Sequence, residues 1–281
     1  MIRAILWKEW HEQRSKYIGY WATMNVPFLV IAIAVAISTV ARTPFADLAD
    51  KTILKHLPLA LAESFFVVTI FLLMTGYFAV ATSSPENEDR SLFFIFELPV
   101  SRIRYTIIKL LIGGIFVFAA VWFATLLPPV GAYAMMLASG KVTWAGSSGA
   151  FWAVMAAAAR MATWCSLISL AIFVSSALVA ALIPRWWLAA LVSIAVTIGL
   201  MEAAGRFFDF TADMDQEGSL SVGFGLSTGN AQWVTVSRAL KLDEINSLGR
   251  LHWPPLLGAV VFSALLMAAI AWIYQRKELD R

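Results

Sequence analysis

The chain has 281 residues, of which 60% are hydrophobic and 14% charged, and its mean hydropathy is +0.76. Soluble domains are nearer about 45–50% apolar and about 25% charged. A water-soluble globule and a disordered chain are therefore excluded, and a disulfide scaffold is excluded because Cys165 is the single cysteine. A net charge of +3 is too small to indicate nucleic-acid binding. The composition predicts an integral membrane protein.

The first predicted element is an amphipathic helix over residues 1–17 that lies on the membrane surface. Apolar side chains recur there at helical spacing, and charged residues cover the opposite face. Tryptophan beside lysine is typical of an interfacial helix. The residues that carry this pattern are Trp7, Lys8, Glu9 and Trp10. The alternative is that the segment is only a positive anchor for the first membrane span.

Six apolar segments long enough to cross a hydrocarbon core of about 30 Å follow. The transmembrane domain predicted over 18–281 is all-α, because the alternation expected of an outer-membrane barrel is missing. Its predicted spans are 18–40, 57–82, 107–136, 150–183, 186–204 and 253–274. Lys and Arg are about twice as dense in the segments that are inner if the N-terminus is cytoplasmic. This bias predicts that both termini are cytoplasmic.

A few residues inside the spans predict how the helices bend, end or approach one another. Pro27 predicts a kink in the first span, and Pro128–Pro129 predicts an end or a bend of the third, although both also suit ordinary packing. Gly113–Gly114 and the run Ala156–Ala159 permit helices to approach closely. Lys109 is expected to extend its ammonium to the inner surface.

Ionisable residues fall at the rims of the spans rather than at mid-depth. Glu63 in the second span and Arg160 in the fourth each lie about 20 residues from the inner end, which places them at the outer boundary. They either meet as an ion pair that gates the outer rim or reach interfacial water separately. Because no charge is predicted at the midplane, a proton-coupled or ion-coupled carrier is disfavoured.

The loop 83–106 between the second and third spans has the features of a contact with a partner. Ser84 is suited to cap a helix, Pro85 to begin it, and the acidic residues after them favour its positive end. Leu98–Pro99 then ends the helix, and Arg102 follows at the inner membrane face. Physical chemistry alone leaves two interpretations equal, a helix that docks on another protein and a solvated connector.

Two stretches of the sequence resemble permease subunits of the type-2 ATP-binding-cassette (ABC) transporter family. They are LWKEWHEQR at 6–14 and ENEDRSLFFIFELPVSRIRYTIIKL at 86–110. The resemblance implies six spans with cytoplasmic ends, and it makes the loop helix a coupling helix seated on an ATPase. The residues that it assigns to this contact are Glu86, Glu88, Arg90, Leu98, Pro99 and Arg102.

The function implied by the resemblance is that of a half-transporter rather than an enzyme. Two such permease subunits, or this one and a homologue, lie in the lipid of the cell (inner) membrane. They pair with two ATPases on the cytoplasmic side. ATP and Mg²⁺ are expected in the ATPases rather than in this chain, because Gly140–Lys141 lacks the earlier glycine of a phosphate loop. No cofactor is expected in this chain, and no metal either, because His11, His56 and His252 lie in three separate regions. Export, rather than import, follows from the resemblance alone.

Two other function classes stay open. An intramembrane enzyme acting on a lipid or a peptide needs polar side chains that meet at one depth, and the sequence predicts none. The other class is a stand-alone membrane assembly protein.

In the long outer loop 205–252, a predicted short helix over Trp233–Leu248 either forms a lid or packs inertly. A calcium site at Asp213–Gly218 is disfavoured, because Phe224 stands where an EF-hand needs glutamate.

Overall fold

The computed structural model describes residues 2–42, 72–83, 102–140, 142–214, 220–226, 232–235 and 253–279. In this part of the chain the backbone forms six helices and three strands. The helices are α1 (Ile2–Arg42), α2 (Leu72–Ser83), α3 (Arg102–Ala138), α4 (Trp144–Leu182), α5 (Trp186–Phe207) and α6 (Trp253–Leu279). The strands are β1 (Phe208–Met214), β2 (Leu220–Leu226) and β3 (Gln232–Thr235).

Three of the described helices are long and apolar enough to cross a membrane, at Ile103–Ala138, Trp144–Leu182 and Leu257–Arg276. They coincide with the predicted third, fourth and sixth spans, so the apolar helices expected at these three segments are confirmed. α2 and the first part of α5 are shorter apolar helices. Residues 57–71 of the second predicted span lie outside the described residues, and the count of six spans stays a prediction.

α3 and α4 form an antiparallel hairpin with a constant register. Ser166 Oγ donates to the carbonyl oxygen of Phe118 at 3.1 Å, and the rings of Tyr133 and Phe151 stack with centroids 4.2 Å apart. In both pairs the two residues are equally far along the chain from residue 142. The two helices therefore keep the same register along the hairpin. The turn is closed by Gly140, whose φ of 69° suits a glycine.

The hairpin is longer than the bilayer is thick. α3 has 37 residues and α4 has 39, which at 1.5 Å per residue is about 55–58 Å, against about 40–45 Å for a bilayer with its headgroups. Of the two outcomes expected at Pro128–Pro129, an end of the third helix is wrong, since α3 continues to Ala138, and a bend stays a prediction. Both prolines are buried, and Tyr133 and Met136 beyond them pack against α4, which keeps the last turns helical.

α1 is a single helix of 41 residues that covers both the predicted interfacial helix and the first span, so residue 17 is not a helix boundary. Its middle part packs into the bundle: Tyr17 is 1% exposed, and Tyr20 and Met24 are also buried. Trp7 is exposed and stacks on His11. A kink at Pro27 and an interfacial position of residues 1–17 stay predictions.

α4 lies at the centre of the bundle, where it contacts α3, α5 and α6. A Cβ added at Gly113 in α3 would meet the ring of Phe173 in α4. The predicted close approach at this glycine pair is therefore confirmed. In the alanine run, Ala157 and Ala158 are buried in the hairpin, whereas Ala156 is exposed.

The strands lie in the predicted outer loop 205–252, where the sequence predicts no strand. β1, β2 and β3 form an antiparallel sheet in chain order, with Phe210 opposite Phe224 and Val222 opposite Val234. β3 occupies the beginning of the predicted helix Trp233–Leu248, whose remainder lies outside the described residues. The apolar residues of β1 alternate with polar ones, and this period of two favours a strand.

Candidate functional site

The candidate site is the end of the bundle that carries the predicted coupling loop. We call it the loop root and define it as residues 78–83 of α2 and 102–109 of α3. The predicted ATPase-contact residues Glu86, Glu88, Arg90, Leu98 and Pro99 lie outside the described residues, and Arg102, the sixth of them, is the first residue of α3. The structure therefore describes what holds the loop at its two ends.

Lys16 ties α1 to the α2 side of the loop root. Its ammonium donates a hydrogen bond to the carbonyl oxygen of Ala81 at 2.8 Å. The residue four positions after Ala81 is Pro85, which has no N–H group to donate to the Ala81 carbonyl. Lys16 supplies this carbonyl with a donor, so it acts as a side-chain cap beside the loop.

A row of aromatic rings continues from this cap into the bundle. Tyr17 stacks on Phe116 of α3 with centroids 4.6 Å apart, and its edge lies against Phe78 of α2. Phe78 also stacks on Tyr20 and lies 6.0 Å from Phe173 of α4. The rings connect four helices directly behind the loop root. These packed, desolvated contacts hold the four helices against one another.

Lys109 differs from the sequence expectation. The expectation that it extends to the inner surface is wrong, because its side chain is only 8% exposed. Gln13 of α1 is a second buried polar side chain, 6% exposed. The stack of Trp10 on Phe116 shows that α1 runs along α3 at this level. Depth along one helix predicts exposure only where no neighbour covers the side chain, and here α1 packs along the base of α3.

A layer of buried hydroxyl groups joins α4 and α5 beside α2. Ser193 Oγ donates to Ser176 Oγ at 2.7 Å, and Thr197 Oγ1 donates to the carbonyl oxygen of Ser193 at 2.8 Å. All three side chains are fully buried. Gly76 of α2 lies against them, since a Cβ there would be 2.7 Å from Thr197 Oγ1. Counted along the helices, Ser176 and Ser193 lie about 10 Å from the facing ends of α4 and α5, at Leu182 and Trp186.

This layer corrects the expectation that no polar side chains meet at one depth. In the described residues, the hydroxyl groups bond to each other and to helix carbonyls, and no group of three His, Cys, Asp or Glu is placed to hold a metal ion. Hydroxyl groups of this kind bind helices together in membranes. The spacing of Ser193 and Thr197, four residues apart in an apolar helix, was the available sequence signal.

The remaining predicted site residues are only partly placed. Arg160 is half-buried in α4, but Glu63 lies outside the described residues, so the outer-rim pair stays a prediction. Trp10 stacks on Tyr17 and Phe116, whereas Lys8 and Glu9 are placed only as residues of α1. The sequence did not point to Lys16, because a lysine near a helix end is also an ordinary membrane anchor.

Comparison with known proteins adds no assignment: no protein-family model, no curated protein and no solved structure matches the chain.

Proposed function

We propose that the chain is the membrane-spanning permease subunit of an ATP-driven ABC exporter. A separate cytoplasmic ATPase hydrolyses ATP with Mg²⁺, and the loop between α2 and α3 receives the resulting movement. Two ATPase subunits and a second permease copy or homologue complete the transporter in the cell (inner) membrane. Both termini and the loop root are then cytoplasmic, and the turn at Gly140 is external.

The observation that carries the proposal is the way in which the loop root is held. A coupling element must pass a displacement to the spans rather than absorb it. Lys16 donates to the Ala81 carbonyl of α2, and Tyr17 lies between Phe116 of α3 and Phe78 of α2. Both ends of the loop are therefore fastened to α1, which supports a loop whose movement shifts three helices together.

The distribution of aromatic and basic residues supports the same orientation. Trp186 and Trp187 begin α5 directly after Arg185, and the guanidinium of Arg276 lies 4.2 Å from the ring centre of Trp272 in the last turns of α6. Tryptophan with a cation is typical of a membrane–water interface, and cations are enriched on the cytoplasmic side.

The experiment that tests the proposal is site-specific photo-crosslinking in membranes of the producing cell. A benzophenone amino acid replaces Phe93 in the predicted coupling helix, and a control replaces Leu191, which is exposed on the bundle surface. We expect the probe at residue 93, and not the one at 191, to capture a protein with a phosphate loop. The ATPase activity of that protein should rise when it is reconstituted with this chain.

Variants of the contact residues make the result specific. Glu88→Ala, Arg90→Ala and Pro99→Ala should each lower the crosslink yield about tenfold, which corresponds to a loss of about 1.4 kcal/mol of binding free energy. Capture of a protein without a phosphate loop, or a yield that is the same in all three variants, would overturn the proposal. A stand-alone assembly protein predicts the first of these results.

A further inference from the structure

The three-stranded sheet that follows α5 has one apolar face. Successive residues of a strand alternate between the faces of a sheet, and residues directly opposite each other in an antiparallel pair share a face. The register places Ala212 opposite Val222 and Val222 opposite Val234, so one face can be followed across all three strands. Gln232 is the one polar residue on this face of the described strands. Its aromatic residues and flanking leucines are Phe208, Phe210, Phe224, Leu220 and Leu226.

The opposite face of the sheet has the reverse composition. Asp209, Asp213 and Ser221 lie on it together with threonines and glycines, and Trp233 is its one large apolar residue. The strands have 7, 7 and 4 residues, which gives each face an area of about 300 Å². An apolar patch of this size marks a site of contact with a partner or a membrane.

α5 places the beginning of the sheet at a membrane surface. Trp186 and Trp187 are exposed and follow Arg185, a combination typical of a membrane–water interface. Arg206 lies 20 residues after Trp186 in the same helix, which is about 30 Å and equals the thickness of the hydrocarbon core. β1 begins at Phe208, directly after the last residue of α5. The sheet therefore starts at the opposite interface, with no linker that could carry it away from the lipid.

In the described part of the chain, the helix in substantial contact with the sheet is α5, through β1. We propose that the sheet lies flat on the outer surface of the membrane, with its apolar face in the lipid and its polar face in water. The free edges of β1 and β3 then meet headgroups and water, which supply the hydrogen-bond partners that hydrocarbon lacks. This inference rests on the proposed function only for which surface is the outer one.

The charges of the sheet indicate what holds it on the membrane. The described strands contain Asp209 and Asp213 and no Lys or Arg, and both aspartates lie on the polar face. Attraction to anionic headgroups therefore contributes nothing, and the binding comes from burial of apolar surface. A surface held in this way is insensitive to salt and to the charge of the lipid.

The test uses spin labels on neighbouring residues that lie on opposite faces. Single cysteines are introduced into a Cys165→Ala chain, because Cys165 is the single natural cysteine. One pair is Ala212→Cys and Thr211→Cys in β1, and the other is Val222→Cys and Ser221→Cys in β2. The purified chain is held in lipid nanodiscs without any ATPase. The measurement is the collision rate of each label with oxygen, which concentrates in lipid, and with a water-soluble nickel chelate.

We expect the labels at 212 and 222 to collide mainly with oxygen, at a depth of about 5–10 Å below the headgroups. The labels at 211 and 221 should collide mainly with the nickel chelate. This alternation should be the same at high salt and in zwitterionic lipid. Phe210→Asp places a charge on the apolar face and should shift the label at 222 towards the nickel chelate, whereas Thr211→Asp, on the polar face, should not.

Two results would overturn the membrane-bound sheet. Labels at 212 and 222 that are immobilised and reached by neither reagent would mean that protein covers the face, from this chain or a second copy. Equal access of the nickel chelate to both members of a pair would mean that the face lies in water. If one strand does not tolerate a label, the pair in the other strand gives the same measurement.

The ATPase is absent from this experiment and no transport is measured. Its outcomes are therefore independent of the crosslinking result, and failure of the membrane-bound sheet is distinguishable from failure of the proposed function.

Discussion

Phe173 of α4 lies directly over Gly113 of α3, so that the ring occupies the space in which any other residue at position 113 would place its Cβ. The ring is buried and also lies against Phe78 of α2. One aromatic side chain therefore sets the separation of α3 from α4 and supports the ring of α2 behind the loop root. The absence of a side chain at Gly113 is a packing requirement rather than a source of flexibility.

The first prediction concerns this contact. Gly113→Ala should lower the free energy of unfolding in detergent by about 1–3 kcal/mol, because a methyl group is forced into a filled core. Thermal unfolding followed by circular dichroism measures the change. Gly149→Ala in α4 is the control, since a Cβ there meets nothing within 4 Å, and it should be neutral or stabilising. Phe173→Leu should partly restore the stability of Gly113→Ala, and equal loss at both glycines would contradict the packing argument.

A second prediction tests the cap on α2. Lys16→Met removes the hydrogen bond to the Ala81 carbonyl, which should cost about 1–2 kcal/mol. Because the loss is local, hydrogen exchange of the amides in residues 79–83 should accelerate, while exchange in α5 stays the same. Lys16→Arg keeps the cation and should exchange nearly as slowly as the natural chain. Arg14→Met removes an exposed charge nearby and should have no effect on α2.

A third prediction concerns the bond between Tyr20 and Thr75. Tyr20→Phe and Thr75→Val each remove one partner of a fully buried pair of hydroxyl groups. A double-mutant cycle on the unfolding free energy should give a coupling of about 0.6 kcal/mol, with an upper bound of about 1.7 kcal/mol, as for interhelical hydrogen bonds in membranes. Strictly additive effects would mean that this contact does not join α1 to α2.

The helical spans were predictable because a long apolar segment has few alternatives in a bilayer. The close approach at Gly113–Gly114 was predictable for a related reason, since small residues in a span are placed where helices meet. The length of the α3–α4 hairpin was not predictable from the sequence. No charge separates Lys109 from Lys141, so hydropathy marks no point at which α3 leaves the membrane, and Pro128–Pro129 suggested an end that packing against α4 overrides.

The loop root shows a second limit of sequence reasoning. Lys16 and Ala81 are 65 residues apart, and Gly76 is about 100–120 residues from the hydroxyl groups of α4 and α5 that it faces. Periodicity describes the faces of one helix and does not pair it with another. The expectation that Lys109 is exposed failed for this reason, because its exposure depends on the neighbouring α1. Six spans, the coupling helix and the partner ATPase stay predictions.

The last prediction tests the orientation. If the loop root is cytoplasmic, α3 crosses the bilayer and carries Ala138 past the outer headgroups. Even at an average tilt of about 20°, its 37 residues project about 52 Å along the membrane normal, more than the 40–45 Å or so of the bilayer. In a Cys165→Ala chain, Ala138→Cys should therefore react with a membrane-impermeant maleimide in intact cells.

The matched position is Arg276, which is exposed near the opposite end of the bundle. Arg276→Cys should react only after the cells are permeabilised, because the C-terminal end of α6 lies on the cytoplasmic side in this orientation. The reverse pattern would place the loop root outside the cell, where no ATP is available to a partner. It would thus remove the proposed coupling function together with the orientation, whereas the packing contacts behind the loop root would be unaffected.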